Sequence, residues 1–180
     1  MKQATGFTVT ELLIAVGVLG ILSTIAIPNY NAWLPKSRVN GAARELFTEM
    51  QFARMKAISE NNNYVITFDT ANNNYSIYDD ENNDGDGQAG EWVKTINIQD
   101  NYPKIEFGYI VNTNPTGDAI TEAVTFTGDR FAFRPTGLAN KKGSVFLIPA
   151  GSSKKDHQRD ITVITTGRVR LYRYTGNAWE

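Results

Sequence analysis

A run of apolar residues from Phe7 to Ile27, broken near its start by one carboxylate, Glu11, limits what this chain can become more than any other feature. Its uninterrupted part, Leu12 to Ile27, has 16 residues. A helix needs about 20 residues to cross a hydrocarbon core of about 30 Å. Counted from Phe7 the run is long enough, with Thr8, Thr10 and Glu11 near one face of the membrane. No second segment is apolar enough to cover it, so it must meet lipid or other subunits. A carboxylate at that depth costs a few kcal/mol if unpaired and calls for a partner. If Met1–Gly6 is removed, the new amine of Phe7 is a cation at the same depth, one turn away or on a neighbouring subunit. Two buried charges, each costly alone, become a register device when paired.

Past Pro28 the pattern turns amphipathic. Val39, Ala43, Leu46, Met50, Ala53 and Ala57 recur at spacings of four and three, one face of a helix, while Arg38, Arg44, Glu45, Glu49, Arg54 and Lys56 fall mostly elsewhere. The expectation is one helix from about Phe7 to about Ser59, about 80 Å long at 1.5 Å per residue. It should bend near Pro28, which withholds a hydrogen bond from the Thr24 carbonyl. Gly17 and Gly20 permit close helix approach, and with Ser23, Thr24 and Pro28 they weaken this stretch as an isolated helix. Asn61-Asn62-Asn63 ends the helix. Short β-type runs follow at Tyr64–Phe68, Tyr75–Tyr78, Trp92–Ile98, Ile105–Val111, Ala123–Thr127, Phe131–Phe133, Ser144–Ile148, Ile161–Thr165 and Val169–Tyr174, with turn chemistry at Asn72-Asn73-Asn74. The fold class is therefore α+β: a long N-terminal helix, its hydrophobic half protruding, packed against an antiparallel β-sheet head.

Composition removes most catalytic classes. There is no cysteine, hence no disulfide, thiol nucleophile or Cys-type zinc site. The single histidine, His157, sits among Ser, Lys and Asp and reads as a plain loop residue. No nucleophile–base pair and no GxxxxGK[ST] loop is present. The chain is expected not to be an enzyme and to require no cofactor.

The net charge of −1 conceals an asymmetry. Residues 129–180 carry ten Lys/Arg against four Asp/Glu, while Asp79–Glu91 holds six acids and no base. Within that acidic loop, Asp80, Asn82, Asp84, Gly85 and Glu91 fit the spacing of a calcium loop, with Asp86 offering its carbonyl and Gln88 a water-mediated contact. A bound cation would relieve the repulsion among the acids and stiffen a hairpin. The flanks read as strands rather than helices, and a plain solvated turn fits the same residues. At the C-terminal end the last strand alternates, Arg168, Arg170, Tyr172 and Tyr174 on one side, Val169 and Leu171 on the other. Guanidiniums beside phenol rings suit sequence-tolerant DNA contacts. They also suit solvated strand residues or acids on a neighbouring subunit. Lys154, Lys155, His157 and Arg159 precede the partner strand and are placed near this basic face.

The N-terminal segment Gly6-Phe7-Thr8-Val9-Thr10-Glu11-Leu12-Leu13-Ile14 resembles the class III signal of type IV prepilins and pseudopilins: a short leader with a basic residue, here Lys2, ending in Gly, then Phe, an apolar helix and Glu at the fifth mature position. Pro28 falls where pilins carry a helix-kinking proline. The resemblance implies that prepilin peptidase cuts after Gly6 and that the Phe7 amine is methylated. It implies that Glu11 pairs with a neighbour's Phe7 during assembly, and that the helix melts locally over Gly20–Pro28. An ordinary secretory signal peptide cleaved after Ala26, or a simple membrane anchor, are the competing readings. Gln51–Ile58, Phe133-Arg134-Pro135-Thr136-Gly137 and Ile161–Arg170 resemble the GspH/FimT-type minor pseudopilins. Gly167-Arg168-Val169-Arg170 is similar to a Gly-Arg-x-Arg element that carries DNA contact in pilins of natural transformation. The organisation expected is a leader at 1–6, a transmembrane and assembly helix at 7–35, and a periplasmic head at 36–180. The protein would be a single-pass inner-membrane protein, later built into a type IV pilus or type II secretion pseudopilus with other pilins or pseudopilins.

Overall fold

The long helix owes its C-terminal end to one asparagine. In the computed structural model, which describes residues 7–82, 84–88 and 90–180, helix α1 spans Val9–Glu60. Asn61 takes a left-handed φ of 54°, and the Asn62 amide donates back to the Ala57 carbonyl at 3.2 Å. That is the Schellman closure of a helix, with asparagine in the place glycine usually takes. The expected leader, with Gly6, lies outside the described residues. Contacts divide the chain into a unit ending at Leu34 and a unit comprising Pro35–Glu180.

In the first unit, the helix carries side chains that bond back to its own carbonyls: Ser23 to Leu19 at 2.7 Å, Thr24 to Ile21 at 2.7 Å, and Asn29 to Ile25 at 3.1 Å. Such back-bonding lets polar residues sit in an apolar helix. Residues 20–28, where melting is expected, are helical, and the helix assignment continues through residue 28.

The second unit is built on the predicted face. Val39, Ala43, Leu46, Met50, Ala53 and Ala57 are all fully buried, joined by Ala42. They share a core with two antiparallel four-stranded sheets. One has the order β3-β2-β1-β5, from Trp92–Asn97, Asn74–Asp80, Asn63–Asp69 and Arg130–Phe133. The other has the order β4-β6-β7-β8, from Ile105–Phe107, Gly143–Pro149, Arg159–Val163 and Val169–Arg173. Between them Phe68 stacks on Phe126 and Phe131, and Phe131 meets Phe133 edge-on at 5.1 Å. Each such aromatic pair adds about 0.5–1.5 kcal/mol beyond its buried area. The turn between β1 and β2 links the sheets: Asn73, at φ 53°, accepts the Phe107 amide through Oδ1 at 3.0 Å.

Three expected strands are shorter than their apolar runs. Ile98 leaves β3 and starts a four-residue helix α2, Ile98–Asn101, capped by Asn97, whose side chain accepts the Gln99 amide. The strand from Ile105 stops at Phe107: the Gly108 amide still donates to the Phe146 carbonyl at 3.1 Å, and beyond it Gln158 Oε1 accepts the Ile110 and Val111 amides at 2.6 and 2.7 Å. Ala123–Thr127 makes one bridge, Val124 to Val145, before Phe126 turns into the core. His157, expected as a plain loop residue, is buried in a 3-10 turn, its Nδ1 3.0 Å from Ser152 Oγ. Burial holds its pKa below the ordinary histidine value.

On the face of the second sheet turned from α1, Asp160 is fully buried. Its Oδ2 accepts the Thr162 hydroxyl at 2.9 Å, and its Oδ1 has no hydrogen-bond partner among the described residues. Burial pushes this carboxyl from 3.8 up to about 7. The folded chain thus keeps a proton that the unfolded chain gives up above pH 4. The resulting stabilisation is whole below that pH and is lost as the pH rises through about 7. At 1.36 kcal/mol per pKa unit the group accounts for about 4 kcal/mol at most. Thermal melts between pH 5 and pH 8 should show wild-type stability falling more steeply than that of Asp160→Asn; equal slopes would contradict this assignment.

Candidate functional site

Three regions carry the residues singled out by the sequence, and each is built differently. At the start of α1, Thr8 and Glu11 form a reciprocal cap. The Thr8 amide and hydroxyl both donate to Glu11 Oε2 at 2.9 Å, and the Glu11 amide donates to Thr8 Oγ1 at 3.2 Å. This is a capping box, in which a Thr and a Glu three residues later satisfy each other's free backbone amides. The Thr-x-x-Glu spacing was its signal, and reading Glu11 only as an amine's partner misses it. The helix that follows is apolar over Val9–Ile27, 19 residues of which none is buried, and it is long and apolar enough to cross a membrane. Twelve large apolar side chains from Phe7 to Ile27 are more than half exposed, or at the half-exposed mark for Val18. Burying each would gain about 1.5–3 kcal/mol. The sum, on the order of 20–35 kcal/mol, exceeds the whole stability of a typical domain. Of Pro28 only the backbone is described, so its expected role in assembly rests on its position in the sequence.

The acidic loop joins β2 to β3. Asp80 is fully buried and accepts the amides of Asp84 at 3.0 Å and Gly85 at 3.1 Å. Asn82 accepts the Asp84 amide at 2.9 Å, Asp84 accepts the Asp86 amide at 2.8 Å, and Glu91 accepts the amides of Asn82 and Gln88 at 3.4 and 3.2 Å. Gly85 has the left-handed φ of 79° that the turn needs. Asp86 pairs with Arg130 of β5, and Gly87 packs so closely on the Tyr78 ring that a Cβ would stand 2.1 Å from it. The loop is thereby folded over the outer face of the first sheet. Its carboxylates are turned to its own amides and to an arginine. Among the described residues no group of three or more His, Cys, Asp or Glu side chains could hold a metal ion. The expected calcium role for Asp80, Asn82, Asp84, Asp86 and Glu91 is therefore not supported.

The basic strand is only partly as expected. Arg168 and Arg170 are exposed, Val169 is buried and Leu171 half-buried. Arg170 donates to the Tyr172 hydroxyl at 3.0 Å, and the Tyr174 ring is committed edge-on to Trp179 at 5.2 Å. Arg159 does not join this face. It is 2% exposed and points to the other side of the sheet, donating to Asn40. The turn before Arg168 is locked to α1: Gly167, at φ 75°, lies against the Gly137 carbonyl, which also accepts Arg54 Nε at 2.9 Å. A Cβ at Gly167 would stand 1.8 Å from that oxygen, so the glycine is a packing requirement in its own right. No local pattern joins Arg54, Gly137 and Gly167, which lie far apart in sequence.

Comparisons with known proteins agree with this architecture. A fimbrial protein of Pseudomonas aeruginosa is 32% identical over 100 residues, 56% of this chain and 64% of that protein. The type IV major alpha-pilin of Moraxella bovis is 39% identical over 46 residues, 26% of this chain and 29% of that protein. The chain thus spans less than two thirds of the length of the curated relatives it matches. Among solved structures, the type IV minor pilin FimU of P. aeruginosa matches with a TM-score of 0.55 at 14% identity, over 80% of this chain and 93% of that one. The minor pseudopilin EpsH from the Type 2 Secretion System of Vibrio cholerae matches with a TM-score of 0.51 at 12% identity, over 74% of this chain and 95% of that one. At these identities the likeness establishes the fold. The family model described as Type II transport protein GspH matches residues 42–167, well over half of the chain. The chain belongs to the GspH family and has a pilin-like fold.

Proposed function

We propose that this protein is a minor pilin or pseudopilin, a structural subunit of a type IV pilus or of a type II secretion pseudopilus. It is made with a leader that prepilin peptidase removes after Gly6, and the Phe7 amine is then methylated. It waits in the inner membrane as a single-pass protein with its head in the periplasm, then enters a filament of other pilins or pseudopilins through its N-terminal helix. The observation that carries this reading is the exposed apolar helix Val9–Ile27 with Glu11 at its front, on a chain of the GspH family. Such a helix needs either lipid or neighbouring helices around it. In this account Glu11 exchanges its contacts with Thr8 for the Phe7 amine of a neighbouring subunit, and Pro28 shapes the helix within the bundle. N-terminal sequencing of protein from a host that carries the peptidase should read Phe7 first. Retention of Met1, or a start at Ile27, would contradict the proposal.

A second reading, DNA binding by a minor pilin of natural transformation, is favoured by the exposed Arg168 and Arg170, with Arg170 held beside Tyr172. If it holds, affinity for duplex DNA should fall steeply with salt. Arg168→Gln/Arg170→Gln should reduce the slope of log affinity against log salt by about 2, roughly one per lost phosphate contact. A double variant that binds as well as wild type with the same slope would remove this reading.

A further inference from the structure

Arg159 is a buried cation with no ion-pair partner among the described residues. It opens β7, opposite Arg173 in the register with β8. Its Nε donates to Asn40 Oδ1 at 2.6 Å, and its Nη1 donates to the carbonyls of Asp156 at 2.8 Å and Gln158 at 2.7 Å. All three acceptors are neutral. Burial, with Arg173 adding repulsion and Asp156 opposing it, brings the Arg159 pKa down to about 10, so the group is still charged at neutral pH. Asp156 itself pairs with Lys36 at 3.0 Å.

Arg159 is also not sealed off. With Asn40 and Arg44 of α1, Leu171, Tyr172 and Arg173 of β8, and Glu180, it lines an open cavity of about 290 Å³. Glu180 is the one carboxylate in that lining, and it is engaged by Arg173 Nη2 at 2.8 Å. Neither Arg44 nor Arg159 has an ion-pair partner among the described residues. Three guanidiniums against one side-chain carboxylate leave the side chains of the lining with an excess of positive charge. Removing charge from water without a counterion is costly unless something restores the balance.

We propose that this cavity is an anion site for a phosphate group, as the free ion or as the end of a phosphomonoester. A phosphate of that kind carries about −1.5 to −2 at neutral pH, more than a single carboxylate brings to three guanidiniums. Guanidinium forks are made to hold phosphate oxygens in pairs. Arg159 is already fixed by its three bonds, so little side-chain freedom is lost on binding. Glu180 competes with the ligand for Arg173.

The test uses the full-length chain in detergent micelles at about pH 7.5, where a phosphate monoester is mostly dianionic. Inorganic phosphate, glycerol 3-phosphate and acetate are each titrated against chloride at matched ionic strength, with calorimetry and melting temperature as readouts. A saturable response to inorganic phosphate alone assigns the free ion; a response to glycerol 3-phosphate as well assigns the ester. Arg44 is exposed, so Arg44→Gln should leave the unliganded melting temperature unchanged and raise Kd about tenfold or more, the loss of one charge-assisted contact. Glu180→Gln should tighten binding by removing the competitor. A response no greater than chloride, an equal response to acetate, an unchanged Kd in Arg44→Gln, or weaker binding in Glu180→Gln would overturn the proposal.

Discussion

One imbalance governs this molecule: its first unit offers a long apolar helix of which none is buried by the described residues. Twelve large apolar side chains lie open between Phe7 and Ile27, and the cost of leaving them in water exceeds what a domain of this size gains by folding. The helix is nevertheless well formed. Thr8 and Glu11 close its first turn, and Ser23, Thr24 and Asn29 bond to its own carbonyls, so the backbone asks little of its surroundings. What it asks for is apolar volume. That demand makes membrane residence and helix bundling two answers to one physical problem.

The second unit solves its own problem separately. The amphipathic part of α1 buries Val39, Ala43, Leu46, Met50, Ala53 and Ala57 among the phenylalanines of both sheets. Both sheets then have an outer face to protect, and each is covered by a loop. The acidic loop lies on the first through Tyr78 and Arg130, and Gly108–Val111 is held on the second by Gln158. An acidic loop used this way needs its carboxylates for its own amides. That accounts for a sequence with calcium-like spacing and a structure with no metal-binding group among the described residues.

Much of this was legible in the residues, for reasons that differ by element. The helix face was readable because apolar spacing of three and four has one solution on a helix. Asn61 and Asn73 were readable as chain reversals because asparagine tolerates a left-handed φ. Most strands were readable from β-branched and aromatic runs, but their ends were not. Ile98, Gly108–Val111 and Phe126 leave their expected strands under tertiary demands: a helix cap at Asn97, an amide clamp by Gln158, and a place in the phenylalanine stack. The spacing of the acidic loop read both as turn chemistry and as a ligand set, and the second is not supported, because carboxylates that face amides and carboxylates that face a cation share the same spacing. Arg159 read as part of a basic surface, since burial of a cation among neutral acceptors depends on Asn40, 119 positions away. The Arg54–Gly137–Gly167 lock was hidden for the same reason.

In the assembly proposed above, Glu11 is the residue that admits the helix to a filament. The most direct measurement is the amount of tagged subunit in sheared filaments relative to membranes, for wild type and Glu11→Ala expressed at equal levels. The account predicts that the variant stays in the membrane, correctly folded, and is lost from the filament fraction. Equal incorporation of the two would contradict it.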